Sequence, residues 1–152
     1  VVEDISPSRL TPREVQKIAL LDMRILNRDR NSVNILVRSR PRRSCSFSDR
    51  ARQAGGGRHT EYELIPIDHG LCLSDELVID WCDWCWLNWR QVKEPIDPEL
   101  YNYIQSFNPE ETAEKLGDAL NIPESCLKNL RIAETLLKEG VAAGLTLFDI
   151  AW

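Results

Sequence analysis

Asp29, Asn34 and Asp68 have the residue types and the spacing of a phosphoryl-transfer site. Asp29 lies in a polar loop, Asn34 opens an apolar strand five positions later, and Asp68 follows a second apolar strand. Kinase-type sites use one carboxylate to orient the attacking hydroxyl, and an Asn and a second Asp to hold Mg²⁺ between the phosphates of ATP. We therefore predict that Asp29 is the catalytic carboxylate and that Asn34 and Asp68 are the metal ligands.

Arg30, His69 and Gly70 are predicted to support these site residues. Arg30 directly follows Asp29, and a cation there favours the ionised carboxylate near neutral pH. His69 and Gly70 would shape the turn that leaves the metal. A single imidazole beside a metal ligand more often packs than coordinates, so we expect the His69 ring to pack where kinases have the Phe of Asp-Phe-Gly.

A capped helix and two strands are predicted to position the site. Thr11 is typical of an N-cap, Pro12 of a first helical turn, and Glu14 of the residue that closes a capping box. This helix should run to about Leu26. β-Branched and apolar runs at 33–37 and 62–67 predict a strand pair. The helix residues expected to face inward are Val15, Ile18, Ala19 and Ile25.

Residues 38–60 are predicted to form a mobile inserted loop between these strands, because Arg, Gly and Ser are frequent and no apolar period is present. Residues 38–59 contain seven Arg against Asp49 alone, within a chain of net charge −5. Three interpretations stay open for this segment: a disordered, solvated loop, contact with anionic lipid headgroups, and a phosphorylation switch at Ser44 or Ser46. Outside this segment the chain is acidic, and we expect no nucleic-acid partner.

The Trp-rich segment 77–94 is predicted to be one helix that is buried on most sides, because apolar residues occupy nearly its whole circumference. Its four Trp residues also suit sugar binding or a membrane interface, but packing is the interpretation we favour. Cys82 and Cys85 have the spacing of half a zinc site or of a redox pair. Since no second Cys pair or paired His accompanies them, we expect them to pack as well.

Further helices with clear start signals follow. They are expected after Asp97, after Asn108 and near Pro123, the last ending around Gly144, and a fourth is expected to begin at Thr146. They contain no chemical motif, so their predicted role is to support the site. The predicted fold class is therefore α+β, mostly helical. The side chains expected to be buried are Leu100, Tyr103, Ile104, Phe107, Ala113, Leu116, Leu120, Leu127, Leu130, Leu137 and Val141.

Length and composition indicate one domain with an apolar core, since 43% of the 152 residues are hydrophobic. Five Cys at scattered positions suit a reducing compartment better than a disulfide framework, so we expect a cytoplasmic protein. No apolar run approaches the roughly 20 residues of a membrane helix, so any membrane contact is expected to be peripheral. The chain begins without Met and stops inside a predicted helix, and we expect a fragment of a longer protein.

Four segments together resemble the phosphatidylinositol 3- and 4-kinase superfamily, and most closely the plant gamma class of type II phosphatidylinositol 4-kinases. They are Leu21-Asp22-Met23-Arg24-Ile25-Leu26-Asn27-Arg28-Asp29-Arg30 with Asn34, Ile67-Asp68-His69-Gly70-Leu71, and the runs at 86–95 and 130–140. The resemblance implies the C-terminal lobe of a kinase fold over residues 1–152, with Asp29 as catalytic Asp and Asn34 and Asp68 as Mg²⁺ ligands. It also implies ATP as the phosphoryl donor, and phosphatidylinositol or an anionic membrane surface as partner.

The resemblance also implies what the chain lacks and where it departs from the family. The N-terminal lobe, with its phosphate-covering loop and Lys, is not in the chain, so we expect the isolated piece to bind ATP poorly and to be inactive. Arg28 stands where the family usually has a small residue, often Thr. We expect 1-phosphatidylinositol 4-kinase chemistry in the complete enzyme.

Two alternatives to lipid phosphorylation stay open. The first is Ser/Thr protein kinase activity on the same scaffold, because gamma-class members are reported to act on proteins. Against it, Ala-Pro-Glu does not follow Asp68, and Asn31 stands where protein kinases often have Lys. The second is a non-catalytic helical interaction module, or pseudokinase.

Overall fold

Helix α1, at Pro12–Arg24, lies at the centre of the molecule, for which a computed structural model describes residues 1–41, 60–77 and 82–152. Thr11 caps it as predicted, with its hydroxyl oxygen accepting from the Glu14 amide at 3.4 Å. The predicted capping box is wrong, because the Glu14 carboxylate accepts instead from the Leu64 amide at 3.0 Å. α1 ends two residues before the predicted Leu26. Of the residues predicted to face inward, Val15, Ile18 and Ala19 are buried and Ile25 is half-buried.

Two small sheets lie beside α1. β2, at Ile35–Pro41, pairs antiparallel with β3, at Thr60–Pro66, so that Ile35 lies opposite Pro66. This confirms the predicted strand pair. β1, at Asp29–Arg30, pairs in parallel with β4, at Asp83–Trp84. That second pairing joins segments more than 50 residues apart in the chain, and the sequence did not predict it.

The segment between β2 and β3 is shorter than the predicted insertion at 38–60. Residues 38–41 and 60 are paired in the two strands, which corrects both boundaries. Residues 42–59, with Ser44 and Ser46, lie outside the part of the chain that the structure describes. The interpretations proposed for that segment therefore stay predictions.

The helix predicted at 77–94 is wrong for residues 82–94. β4 is followed there by two 3-10 turns, at Cys85–Asn88 and Arg90–Lys93. The prediction of a Trp core is nevertheless confirmed for residues 84–89. Trp86 is fully buried, Trp84 stacks on it with ring centroids 4.8 Å apart, and Trp89 packs against the same core. Trp81 lies outside the described residues.

Four helices complete the chain as predicted: α2 at Pro98–Gln105, α3 at Pro109–Leu120, α4 at Glu124–Ala142 and α5 at Leu147–Ala151. The side chains of Asp97, Asn108 and Thr146 accept hydrogen bonds from the first turns of α2, α3 and α5, which confirms these caps. No helix among the described residues is both long enough and apolar enough to span a bilayer.

Most of the burial predicted for these helices is confirmed, and three positions are not. Tyr103 and Leu120 are 49% and 65% exposed, and Leu116 is half-buried. Tyr103 lies at the surface because its hydroxyl accepts from Arg24 Nη1 at 2.7 Å. Leu120 is the last residue of α3, where the helix no longer packs on a neighbour. The core includes Val15, Ile18, Trp86, Val92, Ile104, Leu137 and Leu147.

The buried side chain of Gln16 joins α1 to the second 3-10 turn and to the segment that follows it. Its amide nitrogen donates to the Gln91 and Pro95 carbonyls, both at 3.1 Å, and its oxygen accepts from the Asp97 amide at 2.9 Å. Gln16 is therefore satisfied on both sides while being 0% exposed.

Gln16→Met should lower the free energy of unfolding by about 2 kcal/mol, because three backbone groups lose their partner. Urea unfolding followed by circular dichroism measures the change. Lys17→Met, at the adjacent exposed position, is the matched control and should alter the free energy of unfolding by less than about 0.5 kcal/mol. Equal effects of the two substitutions would contradict this role of Gln16.

Candidate active site

Asp22 and Arg30 form a fully buried ion pair beneath the candidate site. Arg30 Nε donates to both Asp22 carboxylate oxygens, at 2.9 and 3.0 Å, and both side chains are 0% exposed. Asp22 also accepts from Asn27 Nδ2 at 3.1 Å and from Trp86 Nε1 at 2.9 Å. The Asp22 carboxylate on α1 thus binds the site loop at Asn27, strand β1 at Arg30 and the Trp-rich segment at Trp86.

The electrostatics of Asp22 reflect two opposing effects. Burial raises the pKa of the Asp22 carboxyl above its usual range, because the charged form loses its solvation. The Arg30 guanidinium and the donors on Asn27 and Trp86 oppose this rise by favouring the carboxylate. Because Arg30 opposes the effect of burial, loss of Arg30 should raise the pKa of Asp22 further.

Arg30 connects the two loops that carry the predicted site residues. Its Nη1 donates to the Asn34 carbonyl at 2.9 Å and to the Ile67 carbonyl at 2.5 Å. The Ile67 amide in turn donates to the Asn34 carbonyl at 3.0 Å. Asn34 and Asp68, which follows Ile67, are therefore fixed at the same end of the β2–β3 pair. The Arg30 guanidinium donates to Asp22 and to these two carbonyls, so being next to Asp29 in the sequence does not place it on that carboxylate.

The Asp29 carboxylate is half-buried and is oriented by two Asn side chains. Asn31 Nδ2 donates to Asp29 Oδ1 at 2.7 Å. Asn34 Nδ2 donates to the Asp29 carbonyl at 3.0 Å and to Oδ2 at 3.4 Å. The Asp29 amide donates to Asn27 Oδ1 at 3.2 Å. The bonds to Oδ1 and Oδ2 orient the carboxylate, and the other two fix the Asp29 main chain. The carboxylate oxygens keep lone pairs with which to accept a proton from a further group.

Asn34 and Asp68 present hard oxygen atoms that suit Mg²⁺. The Asn34 amide nitrogen faces Asp29, so its Oδ1 lies on the opposite side of the amide group. Asp68 is exposed, and its Oδ1 accepts from the Gly70 amide at 3.2 Å. The described residues contain no cluster of three or more His, Cys, Asp or Glu that could hold a metal. An ion held by these two side chains would take its remaining ligands from phosphates and water.

The turn at 68–70 differs in part from the prediction. Asp68 has φ 53°, a left-handed conformation that Asp tolerates better than most residues. A Cβ at Gly70 would lie 3.3 Å from Asp68 Oδ1, so Gly70 leaves room for the carboxylate. His69 is exposed, and the prediction that its ring packs is wrong. Its carbonyl accepts from Cys72 Sγ at 2.9 Å, which shapes the chain after the turn.

Main-chain hydrogen bonds fix Arg28, the residue that precedes Asp29. Its amide donates to the Leu71 carbonyl at 3.0 Å, and its carbonyl accepts from the Asp83 amide at 2.9 Å. The Arg28 side chain lines an apolar cavity together with Trp84 and Leu87, and Asp29 is not part of that lining.

The sequence did not predict the roles of Asp22, Asn27 and Asn31, nor the hydrogen bond from Trp86 to Asp22. A signal for Asp22 was available, because positions 15, 18, 19 and 22 share one helix face and only Asp22 on that face is charged. A charged residue on a buried face requires a partner. The identity of that partner, Arg30, depends on the tertiary fold.

Comparison with known proteins gives consistent matches over the whole chain. The family model described as phosphatidylinositol 3- and 4-kinase matches residues 5–150. Phosphatidylinositol 4-kinase gamma 4 of Oryza sativa subsp. japonica is 40% identical over 151 residues, which cover 97% of this chain and 23% of that protein. Phosphatidylinositol 4-kinase gamma 3 of Arabidopsis thaliana is 39% identical over 138 residues, 90% of this chain and 21% of that protein. The chain thus spans less than a quarter of the length of these relatives.

Arg30→Met should lower the free energy of unfolding by about 3 to 5 kcal/mol, because it leaves the Asp22 carboxylate buried without a cation. Losing Arg30 raises the folded-state pKa of Asp22 further. A raised folded-state pKa makes stability fall as pH rises from the unfolded pKa, about 4, through the folded one. Denaturant titrations across that pH range measure both effects.

Two variants serve as controls for this prediction. Arg90→Met removes a side chain that is 81% exposed and paired with Glu94, and should change the free energy of unfolding by less than about 0.5 kcal/mol. Asp22→Asn combined with Arg30→Met removes both buried charges, so it should be more stable than Arg30→Met near neutral pH. A double variant as unstable as Arg30→Met would argue against the ion pair as the cause.

Proposed function

Because the chain belongs to the phosphatidylinositol 3- and 4-kinase family, we propose that it forms the C-terminal lobe of a kinase that phosphorylates phosphatidylinositol at the inositol 4-hydroxyl. The observation that carries this proposal is the oriented Asp29 carboxylate beside Asn34. The Arg30 guanidinium adds to it, because it joins the Asn34 carbonyl to the carbonyl of Ile67, the residue before Asp68. The choice of phosphatidylinositol as acceptor is supported by the names of the relatives, which are phosphatidylinositol 4-kinases.

Asp29 is the proposed catalytic carboxylate. The acceptor oxygen attacks the γ-phosphorus of ATP, the bond from that phosphorus to the ADP oxygen breaks, and the acceptor proton passes to an Asp29 oxygen. Asn31 and Asn34 fix the carboxylate through Nδ2 contacts of 2.7 and 3.4 Å. A carboxylate held in one orientation places the acceptor hydroxyl in line for transfer, which is the main contribution a protein makes to this reaction.

Asn34 and Asp68 are the proposed residues that hold Mg²⁺, through Asn34 Oδ1 and the Asp68 carboxylate. When bound, Mg²⁺ supplies neutralisation of the charge on the ATP phosphates. Arg30 does not contact the reacting atoms in this proposal. It is a positioning residue, because it fixes the Asn34 and Ile67 carbonyls relative to each other.

Apolar side chains next to the site suit a substrate that lies in a membrane. Val33, Leu36, Ile67 and Leu71 are 49%, 41%, 37% and 54% exposed, and each lies within three residues of Asn34 or Asp68. Exposed apolar side chains grouped around a site favour contact with another apolar surface. We propose that they contact the bilayer that contains the phosphatidylinositol acceptor.

A labelling experiment tests the proposed function. The chain is assayed alone and after exchange for the matching segment of the rice relative, with radiolabelled ATP, phosphatidylinositol vesicles and a protein mixture side by side. We expect labelled lipid from the exchanged enzyme. Asp29→Ala and Asp68→Ala should each reduce the label about 100-fold or more. Asp118→Ala, which removes an exposed carboxylate on α3, is the matched control and should have no effect.

The three possible results separate the three functions. Lipid label that is lost in both site variants supports the lipid kinase. Label in protein alone supports Ser/Thr protein kinase activity. No label from the exchanged enzyme, while the unexchanged rice relative is active, supports a non-catalytic module.

Leu71→Ser should weaken sedimentation of the chain with phosphatidylinositol-containing vesicles by about fivefold, because a half-exposed Leu inserted into a bilayer contributes about 1 kcal/mol. Leu120→Ser is the matched control, since Leu120 is 65% exposed but lies on α3, away from the site. An equal loss in the two variants, or no loss in Leu71→Ser, would count against the proposed membrane contact.

A further inference from the structure

A cavity of about 460 Å³ lies between α1, α4, α5 and the segment that contains β4. This volume falls within the range of sites that bind small organic molecules. The cavity does not include Asp29, Asn34 or Asp68, and nothing in the proposed phosphoryl transfer requires it. Its apolar lining includes Met23, Leu26, Trp84, Leu87, Leu137 and Ile150.

Arg28 brings a positive charge into this apolar cavity. Its Nε is buried and has no hydrogen-bond partner among the described residues. Its backbone amide and carbonyl are already paired with Leu71 and Asp83, so the main chain at Arg28 is fixed independently of its side chain. A buried charged donor without a partner is unfavourable by itself, and an anion in the cavity would satisfy it.

The shape and the charge of the cavity together define the class of ligand. One cation in a cavity that is otherwise mostly apolar is complementary to a molecule with a single anionic head and an apolar body. Leu136 lies at the rim and is 55% exposed, so an apolar side chain of α4 lines the opening of the cavity. A long apolar chain can enter there.

We propose that this cavity is a binding site for an amphiphilic anion, with its carboxylate or phosphate head paired to Arg28 and its alkyl chain packed against Leu26, Leu87 and Ile150. The site adjoins the candidate active site through the backbone at 28–29, but it uses different side chains. The proposal is therefore independent of lipid kinase activity and can be tested without it.

Calorimetric titration of the 152-residue chain with undecanoate, decyl phosphate and decanol, each below the concentration at which it aggregates, tests the proposal. The three probes share one alkyl chain and differ only in the head. We expect at least one anion to bind about tenfold or more tightly than decanol, because only an anion satisfies Arg28. The tighter of the two anions identifies the head group. Binding of decanol as tight as that of both anions, or binding of neither anion, would overturn the proposal.

Variants then distinguish the contribution of the Arg28 charge to binding from that of the apolar cavity. Arg28→Met should weaken binding of the tighter anion about tenfold and leave decanol unchanged, whereas Arg28→Lys should retain the preference for the anion. Ala133→Phe, which fills the cavity, should abolish binding of all three probes. Arg90→Met removes an exposed Arg and should leave every affinity unchanged. Circular dichroism checks that Arg28→Met is folded. Unaltered anion binding in the folded variant would overturn the proposed role of Arg28. The comparison of the three probes on the unaltered chain tests the proposal without any variant.

Discussion

The ion pair between Asp22 and Arg30 is the constraint on which the arrangement of the candidate site depends. Two opposite charges are removed entirely from water, which is unfavourable unless each finds several partners. Asp22 accepts from Arg30, Asn27 and Trp86, and Arg30 donates to two carbonyls as well. These requirements can be met together only when α1, the site loop and the turn after β3 have their observed positions. The ion pair thus contributes specificity of arrangement more than net stability.

The local elements were predictable because their signals are local. Thr11, Asp97, Asn108 and Thr146 each cap a helix within three residues of themselves, and this chemistry can be recognised without tertiary contacts. The segment at 82–94 was not predictable in the same way. Its apolar residues would occupy nearly the whole circumference of a helix, and that pattern predicts a buried helix without showing which tertiary contacts the segment makes. What stabilises them instead is parallel pairing of Asp83 with Asp29 and the burial of Trp86, and both involve distant parts of the chain.

The candidate site shows the same division between local and distant information. Asp29, Asn34 and Asp68 were identified from type and spacing, and the structure brings Asn34 next to Asp29 and fixes Asn34 and the residue before Asp68 to one another. Their chemical roles stay predictions. The supporting residues were assigned from adjacency in sequence, and this failed for Arg30, whose guanidinium faces Asp22, and for His69, whose ring is exposed. Adjacency of two residues in the sequence does not predict that their side chains point towards the same site.

The backbone pairing of residue 28 has a consequence for how such a site can vary through evolution. The amide and the carbonyl of Arg28 are both engaged by main-chain groups, so the path of the chain into Asp29 is fixed without any contribution from the side chain at 28. A substitution at residue 28 can therefore change the lining of the adjoining cavity while leaving the backbone that leads into Asp29 in place. Side-chain variation at this position is thus separable from the geometry of the candidate site.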